Sequence, residues 1–412
     1  MSEGIFKVAH RFLNRTWYFH PMRIKGYWLF IFLGLTIGAF FFYQQNQPVL
    51  SYDFAPAFDG NDYRNIYDYF KGYREDFKVP HPFHQRVFVP YLASLLGGDI
   101  IPSFQWVNLF FTLLAVYATF LLWRSLGFEL KWFWAGFIWL IFHWTGIIRL
   151  NAFDPITVDV PTYAFQAFFL WLIIKRKFIH LIWLAPLATV QKESFMALPI
   201  LLVVYAMWHN RRTQEGFYDI PIIAAAVVLS IATQSVVNHY FPPIEEGKGA
   251  LITLAYHAKE AVVNPFEIVR WLAAISMAFG PAIWLAMNHY RKTNRYDNQR
   301  NLLIVFTALY LAFGILAGGD MTRIIFLGFP FIATWIIYEL QEISRPQLIL
   351  LGLLSLPLTF IWRVIPDPGF MWEAWESWYP EFTRWEIVSA ILIYSIFMTL
   401  ILQKGSNKSA IS

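Results

Sequence analysis

Cysteine is absent from the 412-residue chain, which excludes a disulfide framework, a thiolate metal site and a cysteine nucleophile. Charge is scarce as well. Asp, Glu, Lys and Arg make up 14% of the residues, where a soluble domain uses roughly a quarter to cover its surface. The sequence has no Walker A loop, no GxSxG and no HExxH, so ATP-driven, esterase and zinc-protease chemistry lack support. No His or Asp falls near the middle of an apolar run, where a transmembrane proton relay would need one. Neither a low-complexity tract nor a soluble domain stands out.

Apolar and aromatic residues are what the chain does have. They reach 58% and 20%, with 41 Phe, 21 Tyr and 19 Trp, a composition suited to two aromatic belts at the lipid headgroups. Apolar runs near 27–43, 101–123, 131–147, 158–174, 178–190, 195–208, 219–240, 267–288, 302–317, 324–340, 347–361 and 386–402 approach the roughly 20 residues that cross a bilayer core. The expected fold is therefore all-α, a polytopic transmembrane bundle of about 12 spans. The two short runs around Gln191–Ser194 read equally as a thin hairpin, a re-entrant pair or one broken helix.

Charge sets the orientation, because Lys and Arg collect in cytoplasmic loops. With the N-terminus inside, the inner segments hold 19 Lys and Arg against 7 Asp and Glu, and the outer ones 13 against 20. Both termini are then cytoplasmic, in a multi-pass protein of the bacterial inner membrane. Residues 1–26 form a basic interfacial segment, with Lys7, Arg11 and Arg15 on one helical face. Residues 27–402 form the membrane domain, with outer loops at about 44–100, 240–266 and 362–385, and 403–412 form a cytoplasmic tail. Cleavage after the first span is not expected, since Ala55-Pro56-Ala57 lies well beyond the apolar region. The scattered basic residues set topology and give no face for nucleic acid.

The outer loops carry the candidate chemistry. In the first, Asp53 and Phe58-Asp59-Gly60-Asn61-Asp62-Tyr63 precede an amphipathic stretch with Tyr63, Ile66, Tyr67 and Phe70 at helical spacing, then His84-Gln85-Arg86. A helix starting at Asp59 would put Asp59 and Asp62 on one face, where partial desolvation makes a carboxylate a useful proton acceptor. An Asp N-cap on a solvated loop is the plainer reading of those residues. Arg149, Asp154 and Asp159, then Lys192 and Glu193, then Asp320 and Arg323, flank other outer span ends. Charges so close to hydrocarbon are paired, functional or snorkelling. Carboxylates beside cations are what transfer from a lipid phosphate requires. His239 and His257 lack metal-ligand spacing, and metal dependence is left open. Trp372, Trp375, Trp378, Tyr379, Phe382 and Trp385 among Glu373, Glu376 and Glu381 read first as a belt helix and second as a sugar-stacking surface.

Three stretches resemble the GT-C superfamily of polytopic glycosyltransferases. They are Phe58–Tyr63 through Gly72-Tyr73, Thr189–Ser194 with Pro199, and Gly318-Gly319-Asp320 to Arg323 with Phe329-Pro330. The resemblance implies a GT-C-like helical fold whose long first outer loop carries short interfacial helices. It also implies a polyprenyl-phosphate-linked sugar donor, with membrane lipids as the surroundings. Asp59 would be the general base, with Asp62 as its alternative or helper. Lys192 and Arg323 would contact the donor phosphate, joined by Arg86 and Arg149. Asp53, His84, Asp154, Asp159, Glu193 and Asp320 would support them. The sequence lacks a clear Asp-x-Asp and the soluble C-terminal domain of some relatives. A polymerase or ligase of lipid-linked oligosaccharides shares this outer-face logic. A flippase or transporter of lipid-linked sugars, or a non-catalytic assembly subunit, are the readings of other classes.

Overall fold

The computed structural model of the chain describes residues 24–55, 58–213, 216, 218–244, 250–293, 297–378 and 385–409. The basic segment expected to lie on the inner leaflet, residues 5–20, falls outside the described residues. Among those described, every regular element is a helix. In chain order they are α1 (Tyr27–Asn46), α2 (Gly60–Phe70), α3 (Phe88–Ser94), α4 (Ile100–Ser125), α5 (Leu130–Phe142) and α6 (Arg149–Phe153). Next come α7 (Val160–Ile174), α8 (Leu181–Gln191), α9 (Ala197–Thr213), α10 (Ile220–Tyr240), α11 (Ala250–Val263) and α12 (Pro265–Lys292). The last are α13 (Asn298–Leu316), α14 (Met321–Leu327), α15 (Phe329–Leu340), α16 (Arg345–Thr359), α17 (Trp372–Glu376) and α18 (Trp385–Ser409).

Each of the twelve apolar runs is thus a helix or a pair of helices, and they differ in length. Six helices (α1, α4, α10, α12, α13 and the 385–403 part of α18) are long and apolar enough to cross a membrane. A seventh exists if α14 and α15, bent by 71°, count as one span. Four shorter apolar helices accompany them: α5, α7, residues 178–191 and α16. Hydropathy registers composition, whereas helix length is cut by local chemistry. The run at 131–147 stops as helix at Phe142, before His143, and Pro330 opens α15 after the break at Gly328. At the C-terminus the expected tail beyond 402 instead continues the helix to Ser409.

Burial separates the inner helices from the outer ones. α7 is buried along nearly its whole length, while α10 and α18 expose Val228, Val236, Ile393 and Phe397. Exposed aliphatic faces of this kind suit lipid rather than water. The short pair at 178–208 is a hairpin. The start of its first arm (Phe178) and the end of its second (Tyr205, His209) both touch Tyr218.

Cross-chain polar contacts gather at two ends. At one end Lys131 donates to Ile343 O, Tyr205 Oη bonds Asn298, and Arg300 forks onto Glu339 at 2.6 and 2.9 Å. At the other, Gln47 pairs with Ile365, Tyr52 with Asp154, Arg86 with Glu193 and Arg323 with Asp59.

The break in α12 shows how backbone groups are satisfied where a helix fails. Gly280 sits at φ +60°, and Pro281 has no N–H to give to the carbonyl of Met277 four residues back. α5 supplies the missing donors. Trp139 Nε1 donates to Ala278 O at 2.8 Å, and His143 Nε2 lies 2.9 Å from Met277 O. That carbonyl only accepts, so the imidazole carries its proton on Nε2, and Nδ1 accepts from the Thr145 backbone N–H at 3.2 Å. In low dielectric an unpaired carbonyl is costly. Replacing His143 with Leu is expected to lose about 1–3 kcal/mol, whereas His143→Gln, which keeps a donor, should lose less. Unfolding of the detergent-solubilised protein measures both.

Candidate functional site

The long loop between α1 and α4 is shaped around Tyr52. Its hydroxyl donates to Asp154 Oδ1 at 2.6 Å and accepts from Ile156 N at 2.9 Å, joining it to the segment between α6 and α7. The N-terminus of α2 packs on this ring. A Cβ at Gly60 would stand 2.3 Å from Tyr52 Cε1 and 3.1 Å from Ile156 O. Glycine at 60 is therefore a requirement of close approach.

Asp59 occupies the N-cap position of α2, as the plainer reading supposed, but with helical backbone angles and no capping bond from its side chain. Its carboxylate lies instead 3.8 Å from Arg323 Nη2. Asp62 follows in the first turn. The apolar stripe behind them is as expected, with Tyr63, Ile66 and Tyr67 buried.

Four chain segments converge here. Arg86 forks onto Glu193 at 2.9 and 2.7 Å and donates a third bond to Tyr63 Oη at 2.8 Å. Lys192 Nζ lies 2.5 Å from Asp159 Oδ1. Arg323 stands 3.8 Å from Asp159 Oδ2 and 3.5 Å from Asp320 Oδ2. Arg323 is thus shared among three carboxylates at distances longer than the 2.7–2.9 Å of a tight charge-assisted bond.

Burial and charge divide the acids into two kinds. Burial, then the nearby Asp59 charge, raises the Asp62 carboxyl to about 6 against the pull of Arg86. Burial pushes Asp154 to about 7, although the Tyr52 hydrogen bond and Arg323 oppose it. Asp320 is raised by burial as well. Asp159 behaves in the opposite way: burial acts to raise it, but Lys192 and Arg323 prevail and hold it at about 2. Glu193 is likewise held low, because the charge and hydrogen bonds of Arg86 outweigh its burial. The site therefore contains fixed anions that anchor cations, next to carboxyls able to take or give a proton near neutrality.

The expected site residues do not all come together. Asp59, Asp62, Arg86, Asp154, Asp159, Lys192, Glu193, Asp320 and Arg323 do. Arg149, expected as a phosphate contact, does not join them. Its buried guanidinium donates to the carbonyls of Phe142, Thr359, Phe360 and Arg363 at 3.2, 2.8, 2.9 and 2.5 Å. It closes irregular backbone. Asp53 is exposed and pairs with Arg64 at 3.2 Å, away from the cluster. His84 is buried against Asn238 of α10 at 3.2 Å and serves to hold the 81–86 turn. Tyr52 has no signal in the sequence, standing 102 positions before Asp154 with no motif joining them, and Tyr63 reads there only as part of an apolar stripe. Among the described residues no group of three or more His, Cys, Asp or Glu is arranged to hold a metal ion.

Two substitutions test this construction by unfolding in detergent. Gly60→Ala is expected to cost about 1–3 kcal/mol by forcing α2 off Tyr52. Asp159→Asn should cost more, about 3–5 kcal/mol, because it strips a buried counter-charge from Lys192 and Arg323.

No protein-family model matches the chain, no curated protein matches its sequence, and no solved structure matches its fold.

Proposed function

We propose that the chain is an integral-membrane glycosyltransferase that takes a sugar from a polyprenyl-phosphate-linked donor. The observation that carries this reading is the pair Asp59 and Asp62 at the head of α2, set beside Arg323, Lys192 and Arg86. A proton acceptor poised near neutrality and a group of cations are the two needs of such a transfer. The reading places this end of the bundle on the non-cytoplasmic side, since Lys175–Lys177, Arg211 and Arg212 belong to the other end. The acceptor is then an envelope glycan, glycolipid or protein.

In this mechanism Asp62 takes the proton of an acceptor hydroxyl, and the oxygen attacks the anomeric carbon. The bond from that carbon to the donor's phosphate oxygen breaks, and its electron pair leaves with the polyprenyl phosphate. Arg323 and Lys192 balance the charge developing on the leaving group. Asp159 holds both cations in place, and Asp59 fixes Arg323 from the acceptor side.

One observation favours a second reading, a transporter of lipid-linked sugars. The break of α12 and the bend between α14 and α15 face each other, with Phe279 and Phe326 stacked at 5.6 Å. Paired discontinuous helices are a feature of transport sites. The two readings differ in product: transfer releases polyprenyl phosphate, and transport leaves the donor covalently unchanged.

Purified protein supplied with a polyprenyl-phosphate sugar and candidate acceptors tests the proposal. Asp59→Asn with Asp62→Asn should abolish release of polyprenyl phosphate while insertion and folding persist, and wild-type turnover by that double variant would end the assignment. Asp62→Asn alone should lower kcat by about a hundredfold or more. The base must be ionised, so the wild-type rate should fall as pH drops through about 6, where the Asp62 carboxyl protonates, and level off above it.

A further inference from the structure

The last outer loop, with its dense aromatic run, is laid along the first one in register. Gln47 exchanges two hydrogen bonds with the backbone of Ile365, at 2.8 and 2.9 Å. Ser51 donates its N–H and hydroxyl to Asp367 at 3.2 and 2.5 Å. Phe54 meets Phe370 at 5.2 Å, and Phe58 meets Trp375 edge-on at 5.7 Å. Trp375 is buried, and Trp372 stacks on it at 5.2 Å with the planes 24° apart while remaining 55% exposed. Glu373 and Glu376, on the same five-residue helix, are exposed. The aromatic series therefore ends, on the inside, at Phe58, the residue before Asp59.

We propose that the exposed face of Trp372, rimmed by Glu373 and Glu376, is a sugar-binding subsite, and that the acceptor is a glycan. The proposal rests on the transferase reading for the role of that glycan as acceptor. A pyranose presents a face of polarised C–H groups that stacks on an indole ring, and carboxylates beside the ring accept its hydroxyl protons. A sugar held on Trp372 stands two ring contacts, through Trp375 and Phe58, from the loop that carries Asp59 and Asp62. A belt of interfacial aromatics is the other use of such residues. Two features oppose it here. The loop is pinned at four successive points to the loop that carries Asp59, and its two exposed carboxylates would face the phosphates of anionic lipids.

The absence of native cysteine allows a direct test. Ser377→Cys, on the exposed turn that follows α17, is labelled with a membrane-impermeant maleimide in the full chain held in nanodiscs of phosphatidylcholine and phosphatidylglycerol. Linear glucose, mannose and galactose oligosaccharides are the probes. At least one should slow labelling saturably, and adding Trp372→Ala should raise the half-protecting concentration by about threefold to tenfold. Trp372→Phe should restore most of the protection, and Asp62→Asn should leave it intact. Lack of protection by every oligosaccharide, or equal protection in Trp372→Ala, overturns the proposal. So does slow labelling in nanodiscs relative to detergent with no sugar present, which marks a belt. Protection without any transfer sinks the transferase reading alone. Transfer with an unchanged acceptor KM in Trp372→Ala sinks the subsite alone.

Discussion

The carboxylate of Asp159 is the point on which the end of the molecule that carries the first long loop depends. It lies where α7 begins, it holds Lys192 at the tip of the short hairpin, and it shares Arg323 with Asp59 and Asp320. Three chain segments separated by tens to hundreds of residues meet on one anion. A charge in such a place is tolerated only when paired, because its desolvation otherwise exceeds anything packing can return. Pairing also makes the geometry rigid. Asp159 stays ionised far below neutrality, so its two cations keep their counter-charge whatever the protonation of Asp62 or Asp154.

Similar accounting governs the membrane interior. At two irregular points of the backbone, side chains supply hydrogen bonds that a regular helix would have made. Trp139 and His143 serve the carbonyls released at Gly280-Pro281, and Arg149 serves three around the end of α16 and one, that of Phe142, at the end of α5. The polar residues of the apolar helices are thus accounted for by backbone needs more often than by chemistry. This is why Arg149, which sits among acids in the sequence, does not join them in space. The break at Gly280-Pro281 is held by donors from α5 and the residue that follows it, in surroundings where water cannot substitute.

Charge and aromatic groups are arranged differently at the two ends. The end bearing Arg300 and Glu339 forms a closed ion pair with each donor spent on a carboxylate, a carbonyl or a hydroxyl. At the other end Arg323 is spread over three carboxylates at longer range, and Asp62 and Asp154 titrate near neutrality. The docked aromatic loop borders only the second.

Composition and spacing alone determined a good deal. Apolar runs and scarce charge identified a helical membrane protein, and each run became helix because the period and length of apolar residues bear directly on local structure. The amphipathic stretch after Asp59 also reads locally, since Tyr63, Ile66 and Tyr67 fall on one face of one helix. How many runs cross the membrane was not legible, because Pro330, Gly328 and the polar groups around His143 cut helices without changing mean hydropathy. The nearness of Asp59 to Asp62 follows from three residues of helix. Their nearness to Asp159, Lys192 and Arg323, the departure of Arg149, and the part played by Tyr52 were decided only by tertiary packing. Long-range ion pairs leave no periodic trace in a sequence, for their partners are chosen by which loops the bundle carries to the same end.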